Sequence, residues 1–224
     1  MVTPLAPVEV LERVRRGEDV ALDGLRDFIE GWLRGGTTDA QMAAWCMAMC
    51  VRGLTADAAS VLADALIASG DRLELGRFGP TGDIQSTGGV GDAAGLVALP
   101  LVAALGVRVA TMGGRGLAHT GGLLDKLEAI PGLTTSLPVE RFVRQVRDVG
   151  IAVAAHGARL VPGERRLAEL RGSTGTAGSP ELVAASLMST AIAAGAGVVA
   201  VDVKAGGGAF SPDARGAIAV AELM

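Results

Sequence analysis

Ser86-Thr87-Gly88-Gly89-Val90-Gly91-Asp92 is the stretch on which the reading of the fold turns. Two further glycine loops follow it, Gly113-Gly114-Arg115-Gly116 and Gly206-Gly207-Gly208. Glycine adopts positive φ and lets backbone N–H groups come close to a ligand. Successive N–H groups make an anion nest, and a helix starting after Asp92 would add its positive end. The same glycines also suit tight strand-to-helix turns, and glycine content alone does not separate the two. A P-loop is excluded, because no Gly-Lys-Ser/Thr follows the glycines. Gly89-Val90-Gly91-Asp92-Ala93-Ala94 fits a loose dinucleotide pattern. However, Gly82–Gln85 reads as a weak preceding strand, and no acidic residue stands about twenty positions on. No cofactor is called for, and no metal-ligand set is read.

On the N-terminal side the pattern is helical. Val8, Leu11 and Val14 fit one face, ended by Gly17. Leu22, Leu25, Phe28, Ile29 and Leu33 fit another, ended by Gly35-Gly36. Thr38 with Gln41 has capping-box spacing, and the helix it opens carries Met42, Trp45, Cys46 and Met49 as a core stripe. Thr55 caps a fourth helix through Leu66. Leu75–Gly82 reads as a linker. Beyond it the pattern becomes α/β. Leu96–Leu105, Arg141–Val149 and Pro180–Ala194 read as helices. Val107–Met112, Ile151–Ala155 and Val198–Val203 read as strands, the last a near-continuous apolar run of the kind buried on both faces of a parallel sheet.

The chain has 224 residues, 50% apolar and 20% charged, with a net charge of −4. That is ordinary globular composition, long enough to bury a real core. The acidic balance and the 3% aromatic content, with no Tyr, argue against a nucleic-acid partner. Mean hydropathy is +0.43. The longest apolar run, Ala191–Val201, is broken by Gly195 and Gly197 and is too short to span a bilayer. Met1–Val10 carries Pro4, Pro7 and Glu9 without Lys or Arg, which is not a signal peptide. The two cysteines, Cys46 and Cys50, read as small buried side chains unsuited to a disulfide. A cytoplasmic protein is expected.

Three blocks in order carry a resemblance over essentially the whole chain. Ser86–Asp92 resembles the signature loop of the thymidine and pyrimidine-nucleoside phosphorylases. Gly114-Arg115-Gly116-Leu117-Ala118-His119-Thr120-Gly121-Gly122 with Asp125-Lys126-Leu127-Glu128 resembles their second signature. Val201-Asp202-Val203-Lys204 with Gly206 and Gly208-Ala209-Phe210 resembles a third. The resemblance implies an α/β fold with a small all-α domain of the kind shared with anthranilate phosphoribosyltransferase. It implies an all-α domain over 1–75 to which 163–194 return, and an α/β domain over 76–162 and 195–224. The chain stops at Glu222-Leu223-Met224, inside what reads as a helix, where relatives continue. An incomplete sheet, covered in a homodimer or hetero-oligomer, is therefore expected.

The family reaction is reversible phosphorolysis of a pyrimidine nucleoside. The family's five phosphate positions correspond to Ile84, Ser86, Gly95, Gly113 and Leu123, and only Ser86 keeps the family's residue. The pyrimidine positions correspond to Gln85, Arg171, Ser186 and Thr190, of which Arg171 and Ser186 are kept. Gln85 can hydrogen-bond but cannot carry a proton. The resemblance thus implies Gln85 and Arg171 as catalytic residues. Ser86, Thr87, Gly88, Gly89, Arg171, Ser186 and Thr190 are implied as substrate-binding. His119 and His156 read as structural, and Asp92, Asp125 and Lys126 as loop-stabilising. Asp202 and Lys204 read equally as site residues or as a structural ion pair. The expected activity is glycosyl or pentosyl transfer at a sugar–pyrimidine bond, with a pyrimidine-containing small molecule and a sugar donor, but with a donor or acceptor other than free phosphate. Ordinary phosphorolysis and a half-site subunit needing a second polypeptide are the alternatives.

Overall fold

A computed structural model describes residues 5–224. The chain opens with four helices, α1 (Pro7–Arg16), α2 (Leu22–Leu33), α3 (Asp39–Arg52) and α4 (Ala56–Ala68). Their ends follow from local chemistry. Gly17 caps α1 with φ +79°, a left-handed conformation that glycine adopts without a Cβ penalty. Thr38 and Gln41 form the reciprocal box before α3: Gln41 N donates to Thr38 Oγ1 at 3.2 Å, and Thr38 N to Gln41 Oε1 at 2.9 Å. Thr55 Oγ1 accepts from Ala58 N at the start of α4.

The remainder alternates: β1 (Thr81–Ser86), α5 (Ala94–Ala104), β2 (Arg108–Gly113), α6 (Leu123–Glu128), α7 (Val139–Val149), β3 (Ile151–Ala155), α8 (Pro162–Thr174), α9 (Pro180–Ala193), β4 (Val198–Asp202) and α10 (Ala214–Ala221). The strands form one parallel sheet in the order β3-β2-β1-β4. Parallel pairing in register brings Ser86, Gly113, Ala155 and Asp202 to the same, C-terminal end of the sheet. That is the end at which open α/β sheets hold ligands.

Two cores form. Trp32, Trp45, Met42, Leu62 and Leu66 of the first four helices pack with Leu167 of α8 and with Leu182 and Ala185 of α9. The second core joins Met112, Ala152 and Ala154 of the sheet to Phe142 and Val146 of α7. Chain crossings between them are close: a Cβ on Gly70 would lie 2.5 Å from the Arg159 carbonyl.

Several sequence expectations need correcting. Gly82–Gln85 is no weak strand, and Thr81–Gly82 is not linker: β1 is central, hydrogen-bonded to both β2 and β4. Its glycine, acidic and amide positions, Gly82, Asp83 and Gln85, hide it from a hydrophobicity reading. Conversely, the apolar run of β4 is the sheet edge, and Val198 is 71% exposed rather than buried on both faces. Cys46 is buried, but Cys50, near the C-terminal end of α3, is exposed. Glu222-Leu223-Met224 follow the helix α10 instead of lying inside it. No helix of the described residues is long and apolar enough to cross a membrane.

Candidate functional site

One cleft lies between the C-terminal end of the sheet and helices α8 and α9. Ile84, Gln85, Ser86, Thr87 and Gly88 line it from β1 and its loop, and Glu164, Arg171, Ser186 and Thr190 line it from the helices. Gly95, Gly113 and Leu123 close the remaining side. Gly89 does not line it. Its backbone bridges Ala209, and a Cβ there would sit 3.4 Å from the Gly208 carbonyl.

The first glycine loop spends much of its backbone internally. Thr87 N donates to Asp202 O, Val90 N to Gly208 O, and Gly88 N to Ser86 Oγ. Thr87 Oγ1 accepts from Lys204 N at 2.9 Å. The loop is thus zipped to the loop after β4, and much of the expected anion nest is used as a turn. Lys204 Nζ sits 3.1 Å from Asp92 and 2.5 Å from Asp202. Burial alone would raise the Asp92 carboxyl, but hydrogen bonds from Ser86 and Lys204 outweigh it and hold it low.

The second loop folds on itself. Asp125 Oδ2 accepts from Gly116 N at 2.7 Å and Gly122 N at 2.8 Å. A Cβ on Gly116 would lie 1.9 Å from Thr120 O, so the close approach demands glycine. His119 Nε2 meets Gly208 O at 3.3 Å, and its ring stands edge-on to Phe210 at 5.4 Å. It ties two loops together and does not line the cleft. The cations on this side are committed: Arg115 pairs with Asp125 and Glu128, and Lys126 donates to the Asp92 carbonyl.

On the helical side Arg171 is 1% exposed. Its Nε donates to Thr176 O, its Nη1 to Leu182 O and Ser186 Oγ, and its Nη2 to Ala177 O. Four of the five guanidinium N–H groups are therefore spent within the protein. Thr190 Oγ1 donates to Ser186 O and lies 3.2 Å from His156 Nε2. Burial, and secondarily the Arg165 charge, push His156 down to about 4, so its ring is neutral.

Gln85 is oriented by its neighbours. Its Nε2 donates to Asp83 Oδ2 at 2.6 Å and to Met112 O at 3.1 Å. The Met112 carbonyl carries no hydrogen, which fixes the amide nitrogen there and leaves Oε1 as the free end. Asp83 also accepts from Thr111 Oγ1 and Ile84 N, and burial raises its carboxyl despite those bonds.

Sequence reading passed over Asp83 and Glu164. Asp83 and Gln85 alternate on one strand and so share a face. Glu164 and Arg171 are seven apart on one helix, two turns, and so share a side. Those spacings are the signals available.

Residues 8–70 match the glycosyl transferase family helical bundle domain, and residues 79–172 match the glycosyl transferase family a/b domain. The chain is 42% identical over 218 residues to a pyrimidine-nucleoside phosphorylase of Geobacillus stearothermophilus, covering 97% of this chain and 50% of that protein. It is 42% identical over 212 residues to a thymidine phosphorylase of Burkholderia orbicola, covering 93% of this chain and 48% of that protein. The chain spans about half the length of the curated relatives it matches. Among solved structures, an anthranilate phosphoribosyltransferase from Thermus thermophilus superposes with a TM-score of 0.70 at 23% identity, covering 98% of this chain and 63% of that one.

Proposed function

The chain belongs to the thymidine/pyrimidine-nucleoside phosphorylase family of glycosyl transferases, and from that premise we propose that it transfers a pentosyl or glycosyl group at a sugar–pyrimidine bond, to or from a group other than free phosphate. One observation carries the reading. The cleft keeps Arg171 and Ser186 on its helical side, while its opposite end is walled by Ile84, Leu123, Gly95 and Gly113. The three atoms nearest to a Cβ on Gly95 would be Leu123 and Leu99 methyl carbons, at 3.7–4.0 Å. The nearby carboxylates Asp92 and Asp202 are paired with Lys204, and the lining cations Arg115 and Lys126 are committed to Asp125, Glu128 and the Asp92 carbonyl. At Ile84, Gly95, Gly113 and Leu123 a free dianion finds no side-chain donor, the cations nearby already have partners, and each missing charged hydrogen bond would forgo roughly 1.5–3 kcal/mol. A sugar-linked group of lower charge density suits such an end better.

Chemically, breaking the N-glycosidic bond leaves positive charge on the sugar and negative charge on the pyrimidine, so positioning and electrostatics do most of the work. Ser86 and Gly88 line the cleft and, on this reading, would meet the sugar side. Gln85 offers an amide oxygen to a hydroxyl or N–H.

Ordinary phosphorolysis is the second reading, favoured by the 42% identity to two named phosphorylases. Release of base from uridine and thymidine by the purified chain at millimolar phosphate separates the two. Turnover on the order of 1–1000 per second would establish the second reading. Absence of turnover with phosphate, together with release on supplying other acceptors, supports the first. Inactivity with every acceptor would point to a half-site subunit. Association is proposed on separate grounds: Val97, Leu101 and Leu105 at α5 and Val198 of β4 are exposed, and a second chain would cover them.

A further inference from the structure

Glu164 has no part in the reading above, yet it is the least explained group in the cleft. It stands in the first turn of α8, is 4% exposed, and forms part of the cleft wall. Its Oε2 has no hydrogen-bond partner among the described residues. Native structures seldom keep a buried polar atom unpaired without a use for it.

Burial is the largest influence on its carboxyl and raises it. Arg171, on its own helix, is the opposite charge that acts on it, and the Ser186 hydroxyl of α9 steadies its ionised form. From α3 come Cys46, whose thiol burial pushes up to about 12, and Cys50, exposed overall, whose thiol partial burial also raises; Asp39 of the same helix is paired with Arg166. The acidic residues of α4, Asp57 and Asp64, are exposed. On α9 the remaining acid, Glu181, takes a hydrogen bond from Ser179 at the helix start, and Ser189 and Thr190 bring only hydroxyls. His156 is neutral. Burial outweighs Arg171 and Ser186, and the carboxyl is pushed up to about 7.

The hydroxyls of Ser86, Ser186 and Thr190 also line the cleft, but none of them sets a donor and an acceptor side by side as a carboxyl does. Gln85 presents only an oxygen, and Arg171 has nearly all its donors on the backbone. The amide edge of a dioxopyrimidine sets a carbonyl acceptor beside an N–H donor. A protonated carboxyl sets a donor beside an acceptor at matching spacing, whereas a carboxylate puts a second oxygen against the ring carbonyl. We propose that Glu164 reads the amide edge of the bound pyrimidine, its acid O–H donating to a ring carbonyl and its other oxygen accepting the ring N3–H. This rests on the pyrimidine reading above and names the group that recognises the ring.

Calorimetry of uridine binding to the purified chain, at about pH 6 and about pH 8.5, tests it. The required proton is present below the carboxyl's pKa and lost above it. Wild-type affinity should therefore fall by roughly 10- to 30-fold across that range. Glu164→Gln, whose amide offers the same donor and acceptor without titrating, should bind equally at both values. A merely structural glutamate would not link affinity to pH in this way. Wild-type binding that is flat with pH, or a fall that persists in Glu164→Gln, overturns the assignment alone. No uridine binding by wild type at either value overturns it together with the pyrimidine reading.

Discussion

Arg171→Ala should damage the fold before it damages the site. The guanidinium holds the turn between α8 and α9 by donating to the carbonyls of Thr176, Ala177 and Leu182 and to Ser186 Oγ, at 2.7–3.3 Å. Thr176 and Leu182 are fully buried and Ala177 is 4% exposed. Truncation would leave two of those carbonyls, Thr176 and Ala177, without a strong donor, since Leu182 lies within α9. Each orphaned buried acceptor costs about 1–3 kcal/mol. Glu164 would also lose its counter-charge, and breaking buried charge pairs costs about 3–5 kcal/mol in measured cases. Glu164 can escape most of that by staying protonated, so a total of about 4 kcal/mol is the reasonable figure. For a chain of this size about 1 kcal/mol moves the melting temperature by about 2–4 °C, which gives a drop of about 8–16 °C. Differential scanning calorimetry of the wild type, Arg171→Ala and Arg171→Lys reads it directly, with the lysine variant falling between. An alanine variant melting within about 2 °C of wild type while losing pyrimidine binding would refute the reasoning. It would mean that the guanidinium is a free ligand group and the backbone contacts carry no stability.

Other outcomes follow from the same geometry. The combined Ile84→Lys, Gly95→Ser, Gly113→Ser and Leu123→Thr variant should gain phosphate affinity, because Gly113 has open space and Gly95 only ordinary contacts around an added Cβ; calorimetric titration with inorganic phosphate showing no gain over wild type would remove the account of that end of the cleft. Glu164→Gln should leave stability unchanged at about pH 4 and raise it above neutrality, because the folded carboxyl at about 7 stays protonated while the unfolded one ionises, so stability falls as pH rises between the two values. The gain should reach about 1–3 kcal/mol in urea denaturation at about pH 8, and equal midpoints there would contradict it. Asp83→Ala should cost about 2–4 kcal/mol, since it removes the acceptor of Thr111 Oγ1 and Ile84 N and one of the two acceptors of the Gln85 amide; chemical denaturation checks it. Gly116→Ala should be comparably severe, at about 2–4 kcal/mol, because its Cβ meets backbone at Thr120 and Gly121; an unchanged melting temperature would show that the loop yields easily.

The sequence by itself determined the parts of this protein that local chemistry decides. Thr38 with Gln41, Thr55 and Gly17 mark helix ends through bonds made within a few residues, and the three glycine blocks mark the turns at the C-terminal end of the sheet. Those blocks also reached the family, since their residues and order are a matter of sequence alone. Only the tertiary structure decided what the polar side chains are free to do. That Gln85 turns its nitrogen away from the cleft depends on Asp83 and on Met112 across the sheet. That Arg171 is committed depends on Ser186, fifteen residues away on the next helix, and on the carbonyls of the turn between. That β1 is central while the more apolar β4 is the edge depends on strand order, which hydrophobicity does not encode. Burial sets the protonation of Glu164, and burial is a property of every element packed around it at once. Hydrogen-bond partnership and desolvation are non-local, so residues that read alike in the sequence, a kept arginine and an unremarked glutamate, exchange roles once the helices close over them.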